Sequence, residues 1–224
     1  MGAGAGPIAL LTVGLLLGMR HATDADHVVA VTTIVARSPT ARAALAIGAL
    51  WGLGHTATVL FVGGAIIVFG AVIPPRLGLS LEMAVALMLI VLGSINLAGG
   101  GRRAGHVARG HAPPRAGWRP LVIGVVHGLA GSAAVALLVL ATVRDAVWAA
   151  LYLLIFGAGT VLGMVLLTVA MTLPLAAAAR RFQAFERAAA VCTGGLSLAF
   201  GLFLVYRLGV VEGLFSLSPH WAPR

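Results

Sequence analysis

The stretch Arg20-His21-Ala22-Thr23-Asp24-Ala25-Asp26-His27 sits near the middle of an apolar run of 29 residues, 8–36. Two imidazoles, two carboxylates and a guanidinium fall within eight residues. Each ionised group held near a bilayer centre costs about 2.5–3.5 kcal/mol on insertion scales. Such a cluster is an expensive feature for packing alone. Outside it the chain is apolar: of 224 residues, 60% are hydrophobic and 9% charged, with a mean hydropathy of +1.06. Soluble chains carry about a quarter charged residues. A water-soluble globule is therefore excluded. The composition implies an all-α integral membrane protein, a single transmembrane domain over 1–224.

Six apolar segments follow one another: 8–36, 43–73, 80–98, 120–142, 147–173 and 188–206. About 20 helical residues cross a hydrocarbon core of about 30 Å. The first, second and fifth exceed that length, so they tilt, protrude or contain breaks. The opening residues, 1–6, are uncharged and lack the positive flank of a signal peptide, so the first segment reads as retained. All 15 basic residues are arginines, against 6 acidic ones, giving a net charge of +9. In a membrane protein this excess reports topology rather than nucleic-acid binding. Ten arginines lie on the first, third and fifth connections, including the loop 99–119, and four on the other side. The positive-inside rule then places the rich loops in the cytoplasm and both termini outside. The lone Cys192 excludes an intrachain disulfide or a thiolate zinc site.

The halves, about 7–98 and 120–208, resemble each other. Gly18-Met19-Arg20-His21 reappears as Gly124-Val125-Val126-His127, and Trp51-Gly52-Leu53-Gly54-His55 as Phe156-Gly157-Ala158-Gly159-Thr160. Glu82 and Glu186 open the third and sixth segments. A unit of three crossings must be copied upside down, which predicts an inverted 3+3 repeat with a site near the midplane. The pairs Gly14/Gly18, Gly48/Gly52, Gly124/Gly128 and Gly159/Gly163 predict close packing of the first, second, fourth and fifth spans.

On a regular helix Asp24 falls about −60° and His27 about −120° from His21, so the three share a face, while Asp26 lies at about +140°. Asp26 then orients a ligand, faces a neighbouring span or relays a proton. Two structural alternatives are an Arg20 pair with Asp24 or Asp26 that serves packing, and a loop between two short helices. Imidazoles with a carboxylate suit nickel, cobalt, copper or zinc, not magnesium or calcium. His55 and His127, also within spans, are candidate ligands or transient relays. His106 and His111 lie in the basic loop and His220 in the tail. Thr56 stands behind His55. Asn96 either lines the path or is a satisfied polar residue at a helix end.

The run Arg20–His27 resembles the signature RHAxDADH, with its HX4DH core, of the nickel/cobalt transporter family (NiCoT, within the wider NicO group). Leu53-Gly54-His55-Thr56 resembles that family's second histidine motif. His127-Gly128-Leu129-Ala130-Gly131-Ser132 resembles the histidine segment of its shorter members, found near urease genes. The resemblance implies a secondary permease for Ni²⁺ or Co²⁺ in the cytoplasmic membrane, with His21, Asp26 and His27 at the positions needed for transport and Asp24 at the inner acidic position. Well-studied members have eight spans against six here. The missing pair would leave this chain beginning at their second helix, in agreement with an outside N-terminus. Long histidine-rich segments typical of some exporters are absent, which favours uptake.

In the importer so expected, His21 and His27 coordinate the ion, Asp24 or Asp26 supplies charge, and His55 or His127 completes the site or passes the ion on. Arg20 holds a carboxylate in place. Protons compete for the imidazoles, so uptake weakens as external pH falls. No resident cofactor is expected; Ni²⁺ or Co²⁺ is the cargo. The expected partners are that ion and the lipid bilayer, with no nucleic acid, and a homo-oligomer is left open. The alternative of the same fold is an efflux transporter. An intramembrane enzyme is disfavoured: Ser132 lacks the Gly-x-Ser-x-Gly elbow, since position 134 is alanine, and His-Glu-x-x-His is absent.

Overall fold

Helices begin where the sequence supplies residues that tolerate or satisfy the unpaired amides of a first turn. The computed structural model describes residues 6–36, 40–69, 73–99, 117–129, 142–143, 145–181, 185–216 and 218–221. Helix α1 (Pro7–His21) and α4 (Pro75–Gly99) open on proline, and α5 (Arg119–Leu129) has Pro120 in its first turn. The N–H that proline lacks has no partner there in any case. Helix α3 (Ala41–Phe69) is capped by Thr40, whose Oγ1 accepts the Ala43 amide at 3.2 Å. Helix α6 (Ala146–Arg181) is capped by Asp145, which accepts the Val147 and Trp148 amides at 2.9 and 3.0 Å. Helix α2 spans Ala25–Val35, and α7 (Phe185–Tyr206) continues into a π-helical turn, Arg207–Val211. No strand occurs among the described residues.

The first apolar run is not the regular helix assumed for the angular reading of its face. It breaks between α1 and α2, which are bent by 53°. Asp24 is extended (φ −61°, ψ 149°), which ends the ladder of amide bonds. Thr23 and Asp24 favour turns because their side chains compete for backbone groups. Here the Thr23 hydroxyl donates to the Arg20 carbonyl at 2.6 Å, and the Asp24 amide to the His21 carbonyl at 3.1 Å.

Among the described residues four helices are long and apolar enough to cross a membrane: α3, α4, α6, and α7 with its π turn. The bent pair α1–α2 makes a fifth if its two pieces form one broken span. Of the expected fourth span, 120–142, residues 130–141 lie outside the described residues, as do most of the loop 99–119, His106, His111 and Ser132. The side chain of Glu186 is likewise outside them. Helix α6 runs beyond the expected end at 173, through Pro174 to Arg181. Its 36 residues reach about 54 Å at 1.5 Å per residue, well beyond a hydrocarbon core of about 30 Å.

Small residues let the backbones meet. Gly18 seats α1 on the backbone of Phe156 and Thr160, and Gly124 seats α5 on that of Trp51 and His55. Gly159 meets Leu15, and Gly54 meets Leu121. These are the same two contacts made twice, by residues 105 or 106 positions apart. Helices α1 and α6 run side by side in one direction, as do α3 and α5. Helices α3 and α6 are antiparallel: Gly48 faces Val165, Gly52 faces Val161, and the Thr56 hydroxyl donates to the Gly157 carbonyl at 3.1 Å. Helix α4 packs antiparallel on α7 through Gly93, Gly194 and Gly201. Helix α2 lies against α4, α6 and α7. Leu53, Phe61, Val91, Ile95, Leu162 and Leu166 point outward as a hydrocarbon solvent requires.

Candidate metal site

The break in the first run turns two histidines toward each other. His21 closes α1 and His27 lies in the first turn of α2, and their ring centroids are 4.8 Å apart. Helix α3 adds His55 and α5 adds His127. The His55 ring lies 4.8 Å from that of His21 and 5.4 Å from that of His27, and the His127 ring 4.8 Å from that of His27. Thus four imidazoles from four helices share one interior, His27, His55 and His127 at 0% exposure and His21 at 6%.

The hydrogen bonds assign the protons. A carboxylate only accepts, so His21 Nδ1 donates to Asp24 Oδ2 at 2.8 Å and His27 Nδ1 to Asp26 Oδ1 at 3.2 Å. His127 Nδ1 donates to the Ile123 carbonyl at 3.3 Å. His21 Nε2 is then an acceptor, and His55 Nε2, 3.0 Å away, must donate to it. Bare lone pairs remain on His27 Nε2, His127 Nε2 and His55 Nδ1. Each is buried without a hydrogen-bond partner. His27 and His127 each have one ring N–H fixed by an oxygen and the other nitrogen free, the arrangement that metal-binding histidines take. One ring nitrogen from each of His21, His27 and His55 can be chosen so that all three lie within 4.8 Å of one another. Metal–imidazole bonds of about 2.0–2.1 Å place such nitrogens about 2.9–3.4 Å apart, so a small inward shift closes the set on one ion.

The carboxylates stand behind the imidazoles. Asp24, expected on the coordinating face, is 44% exposed in its side chain and binds His21 from outside. Asp26 accepts both the backbone and ring N–H of His27 and faces His127 Nε2 at 3.7 Å. Arg20 departs from expectation: it is exposed and makes no ion pair with a described residue, so it holds neither carboxylate. It sits in the last turn of α1, where a cation favours the helix dipole. Asn96 is buried away from the cluster and donates to the Thr33 carbonyl at 2.6 Å, tying α4 to α2. Thr56 ties α3 to α6. His220 lies on the tail, its amide bonded to the Glu212 carbonyl at 3.0 Å.

Two site neighbours went unnoticed as such in the sequence. Trp51 stacks 6.0 Å from His27 and lies 5.1 Å from His127, and Phe156 lies 5.8 Å from His21. The available signal was their matched position in the two repeat segments.

The fold and site define a multi-pass helical membrane protein built around an enclosed histidine cluster. The chain is 39% identical to the urease accessory protein UreH of Bacillus sp. (strain TB-90) over 220 residues, covering 94% of this chain and 96% of that one. It belongs to the family of that urease accessory protein. No family model matches the chain, and no solved structure matches it significantly.

Proposed function

We propose that the protein is a secondary permease that carries Ni²⁺ or Co²⁺ through the cytoplasmic membrane into the cell, a carrier and not an enzyme. The observation that carries this reading is the enclosed set of four imidazoles, three of which, His27, His55 and His127, hold a buried ring nitrogen without a partner. Borderline divalent metals are the cations that an all-imidazole interior suits, while hard cations prefer oxygen. A urease accessory relative is what a short, urease-associated member of the nickel/cobalt transporters would have. The ion sheds water, is held by His21, His27 and His55, and meets His127 on the way through, with Asp24 and Asp26 fixing the rings and balancing its charge.

The carrier has six spans in two inverted halves, with both termini outside. The paired contacts of Gly18 with Phe156 and Gly124 with Trp51 support the repeat. The four long apolar helices, the bent pair α1–α2 taken as one span, and the apolar sequence that runs on from α5 over 130–142 support the count.

The test is accumulation of radiolabelled nickel by cells expressing the chain, with cobalt and zinc as competitors. Expressing cells should gain label over vector controls, cobalt should compete, and His21→Ala or His27→Ala at equal expression should abolish the gain. Variants that match the parent would overturn the site. Cells that hold less label than controls would reverse the direction to efflux.

A further inference from the structure

The histidine cluster lies between two aromatic rings that occupy matching positions 105 residues apart, Trp51 and Phe156. Phe156 of α6 covers His21 of α1, the helix beside it, at 5.8 Å. Trp51 of α3 covers His127 of α5, the helix beside it, at 5.1 Å, and stacks on His27 at 6.0 Å. His21 and His127 are themselves 106 positions apart. The arrangement is one aromatic-on-imidazole contact made twice.

Direction follows from the helices. Trp51 lies one turn before His55 on α3, and Phe156 one turn before Thr160 on the antiparallel α6. Trp51 therefore stands toward the end of the bundle where α3 and α5 begin. Phe156 stands toward the end where α1 and α6 begin. Trp51 is 0% and Phe156 2% exposed. Val29, Val31, Leu89 and Met164 belong to the core around Trp51, and Val59, Tyr152 and Leu153 to the core around Phe156. Among the described residues, Trp51 and Phe156 with these neighbours cover the cluster toward opposite ends of the bundle.

A second observation comes from unpaired polar atoms. Trp51 Nε1 and the hydroxyl of Tyr152, one turn before Phe156 on α6, are buried without a hydrogen-bond partner. Such groups are costly to keep dry. Each aromatic layer contains one, and each gains water when its layer opens.

We propose that Trp51 and Phe156 are the two gates of the carrier, one from each half, opening alternately to opposite membrane faces. This rests on the carrier reading for what passes between the gates. The gating itself is read from packing alone. With both rings seated the site is occluded. Displacing Phe156 from His21 admits solvent from the face where α1 and α6 begin, and displacing Trp51 from His27 and His127 admits it from the other.

The experiment uses the full chain in right-side-out and inverted membrane vesicles, with Cys192→Ala removing the native thiol and Thr160→Cys as reporter. Thr160 is 0% exposed and, between the Gly52–Val161 and Thr56–Gly157 contacts, lies at the level of the cluster. A membrane-impermeant thiol reagent should leave the parent unlabelled in both preparations. Phe156→Leu should label about tenfold faster in one preparation only, and Trp51→Leu about tenfold faster in the other only. Leucine keeps apolar bulk so that the variants fold, and Phe156→Tyr and Trp51→Phe should stay at the parent's rate. Labelling raised in the same preparation by both leucine variants, or in neither, would overturn the gates. Labelled-nickel uptake by the same vesicles separates the two readings. Sided labelling without nickel uptake removes the cargo and leaves the gates; nickel uptake without sided labelling removes the gates and leaves the cargo.

Discussion

At the scale of single residues, the two carboxylates of the Arg20–His27 run have unequal work. Asp26 fixes His27 through two hydrogen bonds and also faces His127, with its side chain 19% exposed. Asp24 fixes one ring and is 44% exposed, so solvent weakens its hold. Groups that orient a metal-binding imidazole are worth about 10–100-fold in affinity or activity. Asp26→Asn should therefore raise the nickel concentration for half-maximal uptake by about 10–100-fold, and Asp24→Asn by distinctly less. A dose series of labelled nickel on cells with matched expression measures both, and equal losses would contradict the unequal roles. Asn96 belongs to a different class. Asn96→Ala leaves the Thr33 carbonyl without this bond inside the protein, at a cost of about 1–3 kcal/mol. Purified Asn96→Ala should melt earlier in detergent, with nickel uptake per folded molecule unchanged.

At the scale of helices, the architecture depends on backbones that nearly touch. A Cβ at Gly18 would meet the Phe156 carbonyl, and one at Gly124 the Trp51 carbonyl, both on rigid helix backbone. Overpacking of this kind costs about 1–3 kcal/mol or more. Gly18→Ala and Gly124→Ala should each lower the melting temperature in detergent, whereas Gly64→Ala, with open space at its Cβ, should leave it unchanged. Similar losses at all three would mean that helix propensity, not close approach, governs. These helices were legible from the sequence because lipid requires long apolar runs and because glycines four apart mark where spans meet. The cluster was legible because charge in an apolar run is conspicuous. The bend at Asp24 was not, since an apolar run does not state where its amide ladder stops. The angular reading of His21, Asp24 and His27 assumed an unbroken ladder, so it reached their proximity by the wrong geometry. Arg20 was misjudged for the same reason: with the helix ending at His21, its side chain points outward. Trp51 and Phe156 read only as matched positions of the repeat, because aromatic bulk carries no chemical signature of its own.

At the scale of the whole molecule, the proposed orientation rests on the arginines. On the proposed count of six spans, both ends of the chain would lie on one face, and the ten-to-four division of arginines between the connections would decide which. In that orientation the charge-rich side would receive the loop 99–119 and the connections after α2 and α6. The other would receive the tail, where Trp221 donates to Glu82 at 2.8 Å and Arg207 pairs with Glu212 at 3.1 Å. The Trp221–Glu82 bond, together with the Arg76 guanidinium donating to the Ser216 carbonyl at 3.3 Å, ties the tail to the start of α4, which must therefore lie on the tail's face. Positioning of the gates in the cell follows: Phe156 would guard the outer approach and Trp51 the inner one. In a Cys192→Ala background, Ser218→Cys should react with an impermeant thiol reagent on intact cells, whereas Ala112→Cys should react only after the membrane is opened. The reverse pattern would turn the bundle over, exchange the faces served by the two aromatic rings and leave the histidine cluster where it is.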